Sequence, residues 1–151
     1  MRYIIFIFCV FSNVALGCNN TYLDVNNTEG ISAKICLEDN DSLSVSVLGN
    51  GKILSAEDID VSSEKKNHII LEDYNRDNYK DFSVWHVDEG MGKFKIYRLF
   101  IFSQTENKFN EIKSTCGDDF IDVRINGEYL INTFYDDNAP KSCATSRDDL
   151  K

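Results

Sequence analysis

Apolar side chains in this chain recur in short runs separated by turn residues about every ten positions, and no run keeps a helical period for long. A chain patterned in that way buries its apolar surface as the faces of sheets. Residues 31–37 and 43–48 read as the first clear strands; in the second, Leu43, Val45 and Val47 alternate with Ser44 and Ser46, which leaves one face solvated. Asn50-Gly51 supplies the left-handed backbone of a tight hairpin leading into residues 52–54, and Asn126-Gly127 is read as a second such turn between 121–125 and 128–134. Further strands are predicted at 68–71, 82–87, 95–102 and 108–112. The run 95–102 is apolar on both alternating faces, with Tyr97, Leu99 and Ile101 on one and Ile96, Phe100 and Phe102 on the other, so it belongs in the middle of a sheet. Residues 55–67 are polar and read as a short helix or an exposed loop. The segment from Asp136, which holds the only proline, Pro140, reads as a tail tied down by Cys143. The prediction is an all-β chain built as a single antiparallel β domain, either a sandwich or a partial propeller-like sheet.

Residues 1–17 carry Arg2, an apolar run from Tyr3 to Phe11, and small residues at Ala15 and Gly17, the pattern of a secretory signal peptide. The run is shorter than the about 20 residues of a membrane-spanning helix, and no later segment reaches that length. Cleavage after Gly17 leaves residues 18–151 as the β domain and removes Cys9. Four cysteines then remain, Cys18, Cys36, Cys116 and Cys143, and an even count in an oxidising compartment predicts two disulfides with three pairings open. The pairing of Cys18 with Cys36 and of Cys116 with Cys143 is the most local of the three. Cys18 also stands where the acylated first residue of a bacterial lipoprotein would stand, which gives a lipid anchor as the alternative. Lipidation would leave an odd cysteine, and Ala15 is not the branched residue that a lipobox prefers, so the unlipidated form is favoured. The expected location is periplasmic or secreted.

The chain has 25 acidic against 16 basic residues, a formal charge of -9 that becomes -10 when Arg2 leaves with the leader. Such a surface repels nucleic acid and anionic lipid, and it suits a basic protein partner or metal cations.

The sharpest local signal is an acidic loop between two predicted strands. Asp73, Asn75, Asp77 and Asp81 occupy positions 1, 3, 5 and 9, and the carbonyl of Tyr79 falls at position 7. Calcium takes six to eight hard oxygen ligands at flexible geometry, and alternate carboxylates and amides wrap them around one ion. Asn78 stands at position 6, where a sharp turn favours glycine or, next, asparagine. Val84 stands where an EF-hand has its bidentate glutamate, so the loop is not an EF-hand. The predicted cofactor is one calcium ion with a structural role; an ordinary solvated acidic turn is the alternative.

The string Asp-x-Asn-x-Asp-x-x-x-Asp-Phe between two strands resembles the calcium loop of the FG-GAP repeats of integrin α chains. The longer stretch 71–85, with Glu89, Gly90, Met91, Gly92, Tyr97, Lys108 and Phe109 after it, is similar to a family of bacterial periplasmic proteins with this loop. One branch of that family, from Xanthomonas, inhibits a lysozyme-like secretion-system effector and resembles inhibitors of invertebrate-type lysozyme. The resemblance covers roughly residues 68–112. It implies an immunity-type inhibitor whose glycine-rich loop and a nearby tyrosine enter a glycosidase cleft. Glu89, Gly90, Met91, Gly92 and Tyr97 occupy those positions here, although Glu89 replaces a serine; the alternative is a plain glycine-rich hairpin loop at residues 88–92 with Tyr97 in the core. The implied partner is a basic, lysozyme-like peptidoglycan hydrolase.

His68 and His86 lie in or beside apolar strands, without the spacing of zinc ligands, and read as packing residues. Trp85 reads as core rather than as a sugar platform. Asp88 with Glu89, and Asp118 with Asp119, are adjacent acids in turns, which do not establish the geometry of paired glycosidase carboxylates. No nucleophile elbow, phosphate loop or Cys-His arrangement is present, so the chain is read as a binding protein and not an enzyme. The competing reading is a non-inhibitory, calcium-stabilised module that binds an envelope protein or a glycan.

Overall fold

The computed structural model describes residues 18–39 and 41–150, so the leader predicted at residues 1–17 lies outside the described residues. The first sheet is a meander of β1 (Asn19–Asn26), β2 (Ile31–Glu38), β3 (Ser42–Gly49) and β4 (Lys52–Asp60), each strand antiparallel to the next. The second contains β5 (His68–Glu72), β6 (Asp81–Val87), β7 (Lys95–Ser103), β8 (Lys108–Ile112), β9 (Phe120–Asn126), β10 (Tyr129–Asp136) and β11 (Ala139–Ser146). Its order is β11-β10-β9-β7-β6-β5, with β8 also paired to β7. A short 3-10 helix, Arg147–Leu150, follows. Among the described residues, no helix is long and apolar enough to cross a membrane.

The alternating residues of β2 and β3 explain why the two sheets stack. Leu23, Val25, Ile31, Ala33, Ile35, Leu43, Val45 and Val47 of the first sheet share one buried cluster with Phe82, Val84, Phe100, Phe102 and Phe109 of the second. Phe82 stacks on Phe100 at 4.7 Å, and Phe109 meets both Phe82 and Phe102 edge-on. Burying a phenylalanine contributes about 1.5–3 kcal/mol, so this aromatic group is the main glue of a sandwich. β7 is central, as its doubly apolar pattern predicts. Its other face supplies Tyr97, Leu99 and Ile101 to a second cluster with Tyr74, Phe120, Leu130 and Leu150. One edge of β7 is shared: Ile96 and Tyr97 pair with β9, whereas Leu99 to Ser103 pair with β8.

Three segments depart from the sequence reading. β1 was not predicted, and residues 55–60 continue β4 instead of forming a helix or loop. In β4 only alternate residues are partly covered, so the strand follows from pairing with β3 and not from apolar content. The expected tail is an edge strand, β11, which buries Cys143 and Thr145 and admits Pro140 because an edge needs no amide there. The two Asn-Gly sites also differ. Asn50 and Gly51 both have positive φ, at 50° and 75°, as the predicted turn requires. At the second site Asn126 pairs with Tyr129, so the central residues are Gly127 and Glu128, one position later than predicted, with Gly127 at φ 60°.

The disulfides are Cys18–Cys36 and Cys116–Cys143, with Cα separations of 5.7 and 6.1 Å. They close 18- and 27-residue loops at the two ends of the chain, each contributing about 3 kcal/mol by the chain-entropy estimate. The Cys18 sulfur bonded to Cys36 is the atom that an N-terminal lipid would occupy.

Candidate functional site

The acidic loop joins β5 to β6 on the second sheet. Arg76 and Asn78 adopt left-handed backbone, at φ 60° and 70°, so the turn predicted at Asn78 has a companion two residues earlier. The side chains of the loop fold back on its own amides. Asp73 accepts from the N–H of Arg76 at 2.7 Å and of Asn78 at 3.2 Å. Asp77 accepts from the Tyr79 N–H at 2.8 Å and from the Asn75 side-chain amide at 2.8 Å, while Asn75 Oδ1 accepts from the Asp77 N–H. Tyr79 donates its hydroxyl to Glu29 at 2.7 Å, and Lys80 N–H donates to Val25 C=O, so the loop is also sewn to the first sheet.

Asp81, the first residue of β6, is fully buried. Its two oxygens accept from the N–H groups of Tyr74 at 2.7 Å and Phe102 at 2.9 Å. Burial pushes its carboxyl up to about 7 despite those two donors, and the charges of Asp77 and Asp73 push the same way. Asp81 thus faces two further carboxyl groups, a grouping whose ionised form a cation would favour. Among the described residues, no three His, Cys, Asp or Glu side chains converge as a ready metal cluster. The loop's oxygen set is instead mixed: three carboxylates, the Asn75 amide and the Tyr79 carbonyl. Each ionised carboxylate retains lone pairs beyond those used by the amides, and this hard-oxygen chemistry fits calcium.

Residues far away in sequence complete the loop. Arg147 donates from Nε to Tyr74 C=O at 2.8 Å, from Nη2 to Asp73 C=O, and from Nη1 to Gly127 C=O at 3.1 Å. Arg76 pairs with Glu128 at 3.2 Å, both substantially exposed. Neither Arg147, Glu29 nor Glu128 was legible as a site residue, since no local motif marks them.

The predicted docking loop lies between β6 and β7. Asp88 organises it: its carboxylate accepts four backbone N–H bonds, from Met91 at 2.8 Å, Gly92 at 3.2 Å, Lys93 at 2.7 Å and Phe94 at 2.8 Å. These donors hold the Asp88 carboxyl below its usual range, with the Phe94 amide first. Gly90, Met91 and Gly92 are exposed, Gly92 has φ +66°, and Met91 keeps 68 % of its surface. Glu89 faces residues 63–64, accepting from Glu64 N–H at 2.9 Å and Ser63 hydroxyl at 3.2 Å. Tyr97 does not join this surface. It is buried in the second cluster near Trp85, because its strand turns Tyr97, Leu99 and Ile101 to one packed face.

Trp85 is half-buried, stacked on His68 at 4.3 Å with Lys95 Nζ 4.3 Å from its ring. Asp118 and Asp119 lie instead beside the Arg98–Glu111 ion pair. A cleft of about 370 Å³ opens beside the acidic loop, lined by Asn75, Asp77, Ile101, Gln104, Ile112 and Leu150 among others. No protein-family model, curated protein or solved structure matches this chain.

Proposed function

We propose that this chain is a periplasmic or secreted calcium-binding protein that inhibits a basic, lysozyme-like peptidoglycan hydrolase by inserting the loop around Gly90, Met91 and Gly92. The carrying observation is the Asp88 carboxylate with its four amide donors. A loop ordered before contact loses little conformational entropy on binding, so more of its contact energy appears as affinity. Met91 at its tip is an unbranched apolar side chain suited to entering a cleft, and the charge of -9 favours encounter with a basic partner. Tyr97 has no part in this contact.

In the same reading, Asp73, Asn75, Asp77, Asp81 and the Tyr79 carbonyl hold one calcium ion, which supplies the positive charge that the buried Asp81 lacks. The family resemblance over residues 68–112 supports both elements.

Two measurements test the proposal. Calorimetry should give one calcium ion bound by the protein and none by Asp77→Ala. A panel of peptidoglycan hydrolases should include a basic enzyme that the protein inhibits and that Met91→Lys inhibits at least about tenfold less well, the size of an interface hot spot, with calcium binding unchanged. Inhibition of none of the panel would overturn the inhibitor reading. The cleft beside the acidic loop favours the second reading in that event, a non-inhibitory module for an envelope component.

A further inference from the structure

We propose that Arg147 is a positioning residue for the metal loop, an inference that rests on the calcium reading of that loop. Arg147 opens the terminal 3-10 helix, and its own N–H is bonded to Glu128 C=O at 3.0 Å, so its backbone is fixed to the β9–β10 turn. From there the guanidinium reaches the carbonyls of Tyr74, Asp73 and Gly127. All three bonds go to carbonyls and none to the loop's carboxylates. A cation on the Asp73 and Tyr74 backbone that spends its donors on carbonyls leaves the loop's carboxylates to another cation. The planar fork of arginine suits this task, since its donors are preset in direction where a lysine ammonium is a single point.

The geometric consequence is local. Asp73 is the first proposed ligand, and Tyr74 carries the amide that meets Asp81. Holding the carbonyls of these two residues fixes the peptide planes from which the Asp73 side chain and the Tyr74 N–H project. The second consequence is longer in range. β9 is laddered to β7 only at the pairs Ile96–Ile121 and Tyr97–Phe120, with the Lys95 N–H on the Asp122 carboxylate beside them, so the Arg147 clamp is a direct polar tie between the acidic loop and the C-terminal strands. The exposed Arg76–Glu128 pair adds little to it. Calcium occupancy should therefore steady β9, β10 and β11 as well as the loop.

A purely electrostatic role predicts the opposite sign, because removing a cation beside the site would tighten calcium binding. The test is calcium calorimetry on the wild type, Arg147→Met, Arg147→Lys and Arg76→Ala, with amide hydrogen exchange on β9–β11. Positioning predicts calcium affinity lower by about 10–100-fold in Arg147→Met, the range for supporting residues around metals. Arg147→Lys should fall between that variant and the wild type, with Arg76→Ala close to wild type. It also predicts that calcium slows exchange in β9–β11 of the wild type but not of Arg147→Met. Unchanged or tighter calcium binding in Arg147→Met overturns the proposal, as does a lower melting temperature with unchanged affinity. If Arg147→Met does not fold, Arg147→Lys carries the test, and wild-type affinity there overturns the preset-fork argument. Absence of calcium binding in the wild type is a different result: it removes the calcium reading itself, and the positioning role with it.

Discussion

The acidic loop and the Asp88 loop are built by one device, a carboxylate accepting backbone amides, and they arrive at opposite electrostatic states. Asp88 takes four N–H donors at a partly exposed site and is held below the usual carboxylate range. Asp81 takes two donors, is fully buried and faces Asp73 and Asp77, and it is pushed up to about 7. Donor number, burial and neighbouring charge decide the outcome, not the residue type. The Asp88 loop is complete in itself and is fit to present a side chain to a partner. The acidic loop carries a charge deficit that a bound cation would remove.

The largest effect that separates the two loops is the pH dependence of the calcium-free protein. Asp81 has a folded pKa above its unfolded value of 3.8, so its contribution to stability is fully present below 3.8 and is lost as pH rises to about 7. A shift of that size corresponds to something on the order of 4 kcal/mol. Urea unfolding in chelator at pH 4, 5.5 and 7.5 should show it as a narrowing gap between the wild type and Asp81→Asn, which does not ionise. Calcium should restore the wild type at pH 7.5, since the ion binds the carboxylate form. A gap independent of pH would mean that burial does not raise the Asp81 carboxyl in the folded protein, and the electrostatic contrast with Asp88 would fail.

A smaller effect tests how each loop holds its left-handed turn. Gly92 has φ +66° with only an ordinary contact of 3.9 Å awaiting a Cβ, so Gly92→Ala should cost the backbone term alone, about 1–2 kcal/mol. Asn78, at φ 70°, is the corresponding position of the acidic loop, and Asn78→Ala should cost less, because asparagine already bears part of that strain. Chemical denaturation without calcium reads both, and equal costs would erase the distinction between the two turns.

Much of this was legible in the residues. The alternation of β3 and the doubly apolar β7 follow from period-two patterning. Tyr97 shares its face with Leu99 and Ile101, so the strand pattern itself favoured the core alternative over the docking role that the resemblance implied. β1, the second half of β4 and β11 carry little apolar periodicity; their neighbours specify them, and single-strand patterning does not see a neighbour. The acidic loop was located by its spacing, but the roles within it were not. That Asp81 is buried and bonded to Tyr74 and Phe102, and that Arg147 reaches across 73 residues to the Tyr74 carbonyl, are products of tertiary packing. Asp88 was visible as an acid in a turn, yet its organising role depends on the chain curling back until four amides face one carboxylate.

That curl supports the smallest and most local prediction. Asp88→Asn replaces one acceptor oxygen with a donor, so two of the four amides at 91–94 lose their partner while the acidic loop is untouched. Amide exchange should accelerate at one of the two pairs, Met91 with Gly92 or Lys93 with Phe94, and remain as before at Tyr74 and Phe102, with calcium affinity unchanged. The wild type should show the same acceleration only on acidification through the depressed folded pKa of Asp88, since a lowered pKa gives stability that is present above 3.8 and lost as pH falls. If the proposed target enzyme still binds Asp88→Asn with wild-type affinity, order in the loop before contact contributes nothing to recognition. Loss of affinity with the rest of the protein unmoved would place recognition in the Asp88 loop and leave the acidic loop a structural part.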